Sequence, residues 1–164
     1  MPTTEAIDHR IDWKVFQEIA PEFATGMAAI THALKKSSIE PDLRELIKIR
    51  ASQINGCAFC VQHHILESER LGIAADKLNL VVVWREAPLF SARERAALAW
   101  TEALTLLPGG VSDEVYAETA AQFSDKQLAY LSSAIAAINV WNRFGVAYRW
   151  SPPERQTPAQ AAAS

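Results

Sequence analysis

The chain has 164 residues, of which 49% are hydrophobic and 21% are charged, and its formal net charge at pH 7 is -3. This composition is typical of one globular domain with an apolar core, and the small negative charge argues against nucleic acid as a partner. No apolar run approaches the roughly 20 residues that cross a bilayer, and the polar N-terminus lacks a hydrophobic signal core, so we expect a cytoplasmic protein without a membrane partner.

The predicted elements are helices from one end of the chain to the other, because Ala, Leu, Glu and Arg dominate and alternating stretches are few. The one β-branched run, Val81–Val83, fits a buried helix better than a strand. In chain order we expect helices at about 12–20, 21–36, 41–54, 58–71, 75–86, 91–106, 112–122 and 124–148. The sequence therefore predicts an all-α fold, with one helical-bundle domain at 1–150 and a disordered, Pro- and Ala-rich tail at 151–164.

Several predicted helix starts have a local chemical cause. Pro41 fits the first turn of a helix, where the missing N–H has no intrahelical partner to lose. Ser91 with Glu94, and Ser124 with Gln127, have the spacing of capping boxes, in which two side chains satisfy the first unpaired backbone donors. These positions indicate where three of the helices begin.

Two cysteines, Cys57 and Cys60, are the only ones in the sequence and stand three positions apart. A disulfide across so short a segment adds little stability, and in a reducing compartment such a pair is more often catalytic or metal-binding than structural. Asn55-Gly56 ends one predicted helix, and the next begins at or just before Cys57. Both thiols then lie in or near a first helical turn, where unpaired N–H groups and the helix dipole favour a thiolate.

His64 follows Cys60 by four residues, which places its imidazole on the same helix face as the Cys60 sulfur. The imidazole can accept the thiol proton, and its protonated form can then stabilise the thiolate. Cys57 is one turn from Cys60, close enough to condense with a sulfenic acid and form a disulfide. This short segment therefore predicts a nucleophile, a base and a resolving thiol.

Other interpretations of these residues stay open at this point. The cysteines could be buried core thiols, or could join Glu45 and a histidine in a zinc or iron site, although the second cysteine pair of a zinc ribbon is missing. Haem attachment is excluded, because Val61 rather than histidine follows Cys60. His63, beside Glu67, fits an exposed helix position better than the alternative, an auxiliary catalytic role. A helix glutamate such as Glu45 is usually solvated.

Glu45, the Cys57-x-x-Cys60 pair twelve residues further on, and His64 resemble the Glu…Cys-x-x-Cys-x-x-x-His signature of the alkylhydroperoxidase D (AhpD) family, within the carboxymuconolactone decarboxylase-like superfamily. Residues 52–57, 84–90, 94–98 and 138–143 are similar to that family as well. The resemblance covers roughly residues 12–150, and its combined motifs are specific.

The resemblance implies an all-helical fold that forms a homo-oligomer, a trimer or a hexamer, and a peroxidase cycle that needs no cofactor or metal. In that cycle Cys60 would be the thiolate that attacks a hydroperoxide and becomes a sulfenic acid. Cys57 would resolve it to a disulfide and meet an external thiol/disulfide reductant protein. His64 would be the base beside Cys60, and Glu45 would anchor the proton relay. For a cysteine pair at a helix start, the first cysteine is generally expected to be the nucleophile toward other disulfides. That exchange is a different step from the attack on the hydroperoxide.

Phe59 departs from the resemblance, because the AhpD branch typically has a relay histidine before the second cysteine. The relay is therefore expected to be shorter, or His63 replaces part of it. Two other functions compete with hydroperoxide reduction. One is a redox-sensing or disulfide-exchange module of the same fold. The other is decarboxylation of a lactone acid, which gives no reason for the cysteine pair.

Overall fold

The computed structural model describes residues 10–155, and within that range every regular element is helical. In chain order the α-helices are α1 Trp13–Ile19, α2 Pro21–Lys35, α3 Pro41–Asn55, α4 Ala58–Arg70, α5 Ala75–Leu80, α6 Ala92–Thr105, α7 Asp113–Ala120 and α8 Asp125–Tyr148. The predicted all-α fold is confirmed. Across residues 10–155, no helix combines the length and the apolar character that crossing a bilayer requires.

The helix starts follow the local chemistry of the sequence. Pro41 opens α3, as predicted. Both capping boxes are present: Ser91 and Glu94 close one at the start of α6, and Ser124 and Gln127 close the other at the start of α8. Each cap of this kind stabilises a helix by about 0.5–2 kcal/mol.

The predicted helix at 75–86 is wrong in its second half. α5 ends at Leu80, and Val81–Val83 form a 3-10 turn instead of a continued α-helix. Three successive β-branched side chains crowd an α-helix, and the tighter turn buries Val81 while Val82 and Val83 face solvent. The run is therefore only partly buried.

The predicted disordered tail is mostly outside the part of the chain that the structure describes, since residues 156–164 are not included in it. Residues 151–155 have no regular secondary structure. Arg155 nevertheless forms an ion pair with Glu69 of α4, at 2.7 Å between Nη1 and Oε2. The division into a core domain and a disordered tail stays a prediction.

Helix α3 is packed on several sides and forms the centre of the molecule. Ile47 belongs to the core cluster formed with α6 and α8, whereas Leu46 and Ile49 pack on the segment around α5. Ala51 packs against the two cysteines and Ile138 of α8. Full burial of each large aliphatic side chain contributes about 1.5–3 kcal/mol. α3 therefore holds its polar side chains in a rigid position beside α4.

Candidate active site

The turn between α3 and α4 places both cysteines at a helix start, as predicted. Gly56 ends α3 in the left-handed conformation, with φ of 69°, which glycine adopts without steric cost. Cys57 caps α4, and its sulfur accepts a hydrogen bond from the backbone N–H of Cys60 at 3.3 Å. Cys60 lies in the first turn of α4.

The two sulfurs are bonded to each other, with 5.3 Å between the Cα atoms. Cys57 is 1% exposed and Cys60 is 3% exposed. Cys60 lines a cavity of about 350 Å³ between α2, α3, α4 and α8, whereas Cys57 lines a separate surface hollow together with Gln62 and Pro152. The two halves of the disulfide therefore border different openings.

Glu45 of α3 and His64 of α4 meet at the cavity wall. His64 Nδ1 lies 2.7 Å from Glu45 Oε2, and Lys48 Nζ lies 2.7 Å from Glu45 Oε1. Glu45 is 8% exposed, so it is not the solvated helix glutamate that its sequence context favours. Glu45, His64 and Cys60 all line the same cavity.

The electrostatics of this pair favour a carboxylate beside an uncharged imidazole. Burial alone would raise the pKa of Glu45, but the hydrogen bond with His64 and the charge of Lys48 outweigh it and lower the pKa to about 2. Burial lowers the pKa of His64 below its ordinary 6.5, although Glu45 opposes that shift. Because the carboxylate accepts, the hydrogen bond assigns the imidazole proton to Nδ1 and leaves Nε2 able to take up another proton.

The cavity has one aromatic wall and one charged wall. The aromatic wall consists of Trp13, Phe59, Trp141 and Trp150. The charged wall includes Lys35, Arg44, Glu45, Lys48 and His64. Three of the five tryptophans thus border the cavity, although their spacing alone fits core packing. A signal for Lys48 was present in its position three residues after Glu45, which places both side chains on one helix face.

Phe59 occupies the position of the missing relay histidine and belongs to the aromatic wall. Its ring stacks on His63, with 6.1 Å between centroids, and also contacts Trp13 and Trp150. His63 is exposed, and the edge of its ring meets His64 at 4.9 Å between centroids. Phe59 therefore gives the cavity an apolar surface next to Cys60.

A buried polar network ties the cysteine turn to α8. The Asn55 amide donates to the side-chain oxygens of Asn139 and Asn142, both at 2.9 Å. Asn142 donates in turn to Ser52 Oγ at 2.9 Å. Satisfied networks of this kind hold neighbouring elements in one arrangement. This explains why polar residues occur at buried positions of α3 and α8.

Gly145 allows α8 to approach the disulfide closely. A Cβ atom at this position would lie 2.5 Å from Cys57 Sγ and 3.3 Å from Cys60 Sγ. Real Cβ atoms essentially never come so near to a sulfur, so a larger residue would require a shift of the helix or of the cysteines. Sequence reasoning missed this role.

The zinc or iron alternative requires the cysteines, Glu45 and a histidine to converge on one point. In residues 10–155, no group of three His, Cys, Asp or Glu side chains is placed to hold a metal ion. Each cysteine sulfur is bonded to the other instead.

Comparison with known proteins identifies the family. Residues 21–103 match the carboxymuconolactone decarboxylase family. The uncharacterised protein YdfG of Bacillus subtilis is 38% identical over 133 residues, which cover 80% of this chain and 90% of YdfG. An Agrobacterium tumefaciens protein of unknown function, suggested to be the antioxidant defence protein AhpD, has a crystal structure with a TM-score of 0.80 and 38% identity, covering 85% of this chain and 97% of that one.

The debrominase Bmp8 has the same fold at lower sequence similarity. Its crystal structure gives a TM-score of 0.77 at 21% identity, covering 90% of this chain and 78% of Bmp8. At that identity the likeness concerns the fold alone. On the family match and the closer relatives, the chain belongs to the carboxymuconolactone decarboxylase family and is one of its AhpD-like members.

Proposed function

We propose that this protein is a thiol peroxidase that reduces hydroperoxides through the Cys57–Cys60 pair. The observation that supports this most is the position of Cys60, which borders a substrate-sized cavity together with Glu45 and His64. Nucleophile, base and orienting carboxylate are the groups that activation of a thiol requires. The AhpD-like family and the paired sulfurs agree with redox chemistry.

In the proposed cycle the Cys60 thiol first loses its proton to His64. The thiolate attacks the terminal oxygen of a hydroperoxide ROOH, the O–O bond breaks, and the proton on His64 passes to the leaving alkoxide to give the alcohol ROH. Cys60 is now a sulfenic acid. The Cys57 thiol attacks the Cys60 sulfur and releases water, and an external dithiol then supplies the two electrons and two protons that reduce the disulfide.

Glu45 acts in this proposal by orienting and polarising His64. Its carboxylate holds Nδ1–H at 2.7 Å, so Nε2 is the atom that exchanges the proton. Lys48 keeps the carboxylate ionised and occupies its other oxygen. His63 would assist only indirectly, through its edge contact with His64.

Cys57 is the sulfur that we propose to meet the reductant. It borders the hollow on the far side of the disulfide from the cavity, and that hollow is lined by small or uncharged residues such as Ala58 and Gln62. A reductant protein approaching there would attack Cys57 while the cavity stays available to substrate.

We further propose a cytoplasmic homo-oligomer, a trimer or a hexamer. Light scattering of the purified protein would test the oligomeric state.

The deciding experiment compares Cys60→Ser with Cys57→Ser under stoichiometric peroxide. Cys60→Ser should consume no peroxide. Cys57→Ser should react once and leave a sulfenic acid that a dimedone-type probe labels. Intact mass of the reduced wild type should fall by two hydrogen atoms without added oxygen. Full turnover by Cys60→Ser would overturn the assignment.

A redox-sensing role is the second candidate, and the close contact between the disulfide and Gly145 favours it. Because α8 touches both sulfurs, opening and closing the disulfide can change how that helix packs. A change of oligomeric state on oxidation, without turnover of peroxide, would identify a sensor instead of an enzyme.

A further inference from the structure

Arg44 is a buried cation on the wall of the Cys60 cavity. It is 9% exposed, and its Nη1 donates to the backbone carbonyl of Ile39 at 2.5 Å. Among residues 10–155, no carboxylate lies within salt-bridge distance of it, although eight other ion pairs form there. A guanidinium carries five N–H donors, and a buried charge without a counterion is costly. Arg44 therefore has further N–H donors with which it can bind an anion.

The carboxylates that border the cavity do not supply this anion. Glu45 is engaged by its own two partners, and Glu67 pairs with Arg70. Lys35, on the same wall as Arg44, also has no carboxylate partner in the described range. The cavity thus carries an excess of positive charge, which attracts an anionic ligand.

The aromatic wall favours an apolar group. Trp13, Trp141 and Trp150 line a volume of about 350 Å³. Cavities of roughly 300–1,000 Å³ hold whole organic ligands, whereas hydrogen peroxide would need only a small part of that space. A ligand that matches both walls has an apolar body and an anionic end.

We infer that the hydroperoxides this protein reduces are organic molecules that carry a carboxylate. Arg44 binds the carboxylate in the two-point geometry that a guanidinium favours, and the tryptophan wall holds the apolar body. The hydroperoxide group then faces Cys60. This inference rests on the proposed peroxidase function, but the anion site can be tested without turnover.

The first test measures binding of two unreactive ligands of equal shape. Quenching of tryptophan fluorescence reports occupancy, because three tryptophans border the cavity. 4-Isopropylbenzoate should bind about tenfold to a hundredfold more tightly than 4-isopropylbenzyl alcohol, as a charge-assisted hydrogen bond to a buried partner implies. Equal affinities in the wild-type protein would overturn the inference, whatever the enzyme's activity.

The second test measures how fast the cysteine pair is oxidised by cumene hydroperoxide and by its para-carboxylate. The wild type should prefer the carboxylate about tenfold, and Arg44→Gln should lose most of that preference. Lys36→Gln, an exposed position outside the cavity, should keep it. An unchanged preference in Arg44→Gln refutes the role of Arg44 while the peroxidase stands. If neither hydroperoxide oxidises the pair, the proposed function fails, and the binding test alone decides the anion site.

Discussion

Two glutamates on neighbouring helices, the buried Glu45 and the partly buried Glu102, both have a lowered pKa but differ in their partners. Glu102 of α6 accepts hydrogen bonds from Arg50 Nε at 2.8 Å and Trp84 Nε1 at 2.9 Å, and it also pairs with Arg85. Burial alone would raise its pKa, but these donors outweigh burial and lower it. A lowered pKa is therefore common to both carboxylates.

The partners decide what each carboxylate can do. An arginine does not give up its proton in a protein, and an indole N–H only donates, so Glu102 can do no more than hold helices together. His64, beside Glu45, has an imidazole that can accept and release a proton, and it borders a cavity with a cysteine. A perturbed pKa thus indicates a functional site only where a partner can titrate and a substrate can enter.

The largest difference between the Glu45 region and the Glu102 region is expected in the rate of reaction with peroxide. Glu45→Gln removes the charge that orients and polarises His64, so peroxide-driven disulfide formation should fall by about 100-fold or more. Glu102→Gln should change that rate only a few-fold, since it touches no group of the cycle. Stopped-flow tryptophan fluorescence measures both rates. A Glu45→Gln protein as fast as the wild type would remove Glu45 from the relay.

The next effect is on stability, where the Glu102 region matters. Glu102→Ala leaves the buried Trp84 indole and Arg50 without their acceptor, which should lower the free energy of unfolding by about 3 kcal/mol. Urea denaturation measures it. Glu118→Ala, at an exposed position of α7, is the control and should change stability by less than about 0.5 kcal/mol. A small loss in Glu102→Ala would mean that the cluster is not structural.

The sequence predicts well where local chemistry decides the structure. The turn at Asn55-Gly56, both capping boxes and the placement of Cys57 at a helix start depend on residues within four positions of each other. Glu45 was predicted as a site residue through the resemblance to AhpD proteins. The helix prediction for Val81–Val83 was wrong because it relied on the hydrophobicity of these residues, which indicates burial. The crowding of their β-branched side chains decides the backbone geometry instead.

Contacts between distant parts of the chain could not be predicted in this way. Arg50 meets Glu102 across 52 positions, and Asn55 meets Asn142 across 87. Neither spacing carries a periodic signal, because helix packing brings these residues together. The same holds for the aromatic wall, where Trp13 and Trp150 come from opposite ends of the described chain.

A smaller effect appears in acid, and both regions share its direction. Glu45 has a pKa of about 2 in the folded protein against an ordinary 4.5. The stability it contributes is therefore complete above pH 4.5 and is lost as the pH falls toward 2, by about 2–3 kcal/mol. Glu45→Gln should lose less stability than the wild type between about pH 6 and pH 3, when urea unfolding is measured at both. The lowered pKa of Glu102 also contributes to the loss of stability in acid. Glu45→Gln should therefore still lose some stability over the same pH range. An identical loss in both proteins would contradict the strong pairing of Glu45.

The smallest effect is expected near neutral pH, and only the cysteine region should show it. Burial lowers the pKa of folded His64 below 6.5, so the unfolded chain takes up a proton there before the folded protein does, and stability declines as the pH falls through 6.5. His64→Gln should make this decline in urea-unfolding free energy shallower, with the remainder due to His63, whose pKa burial also lowers, whereas Glu102→Gln should preserve it. If His64→Gln instead makes the decline steeper, the folded imidazole takes up its proton before the unfolded chain does and is charged at neutral pH. Glu45 and His64 would then form a fixed ion pair like that of Glu102 and Arg50, and the imidazole would have no capacity left to accept the Cys60 proton.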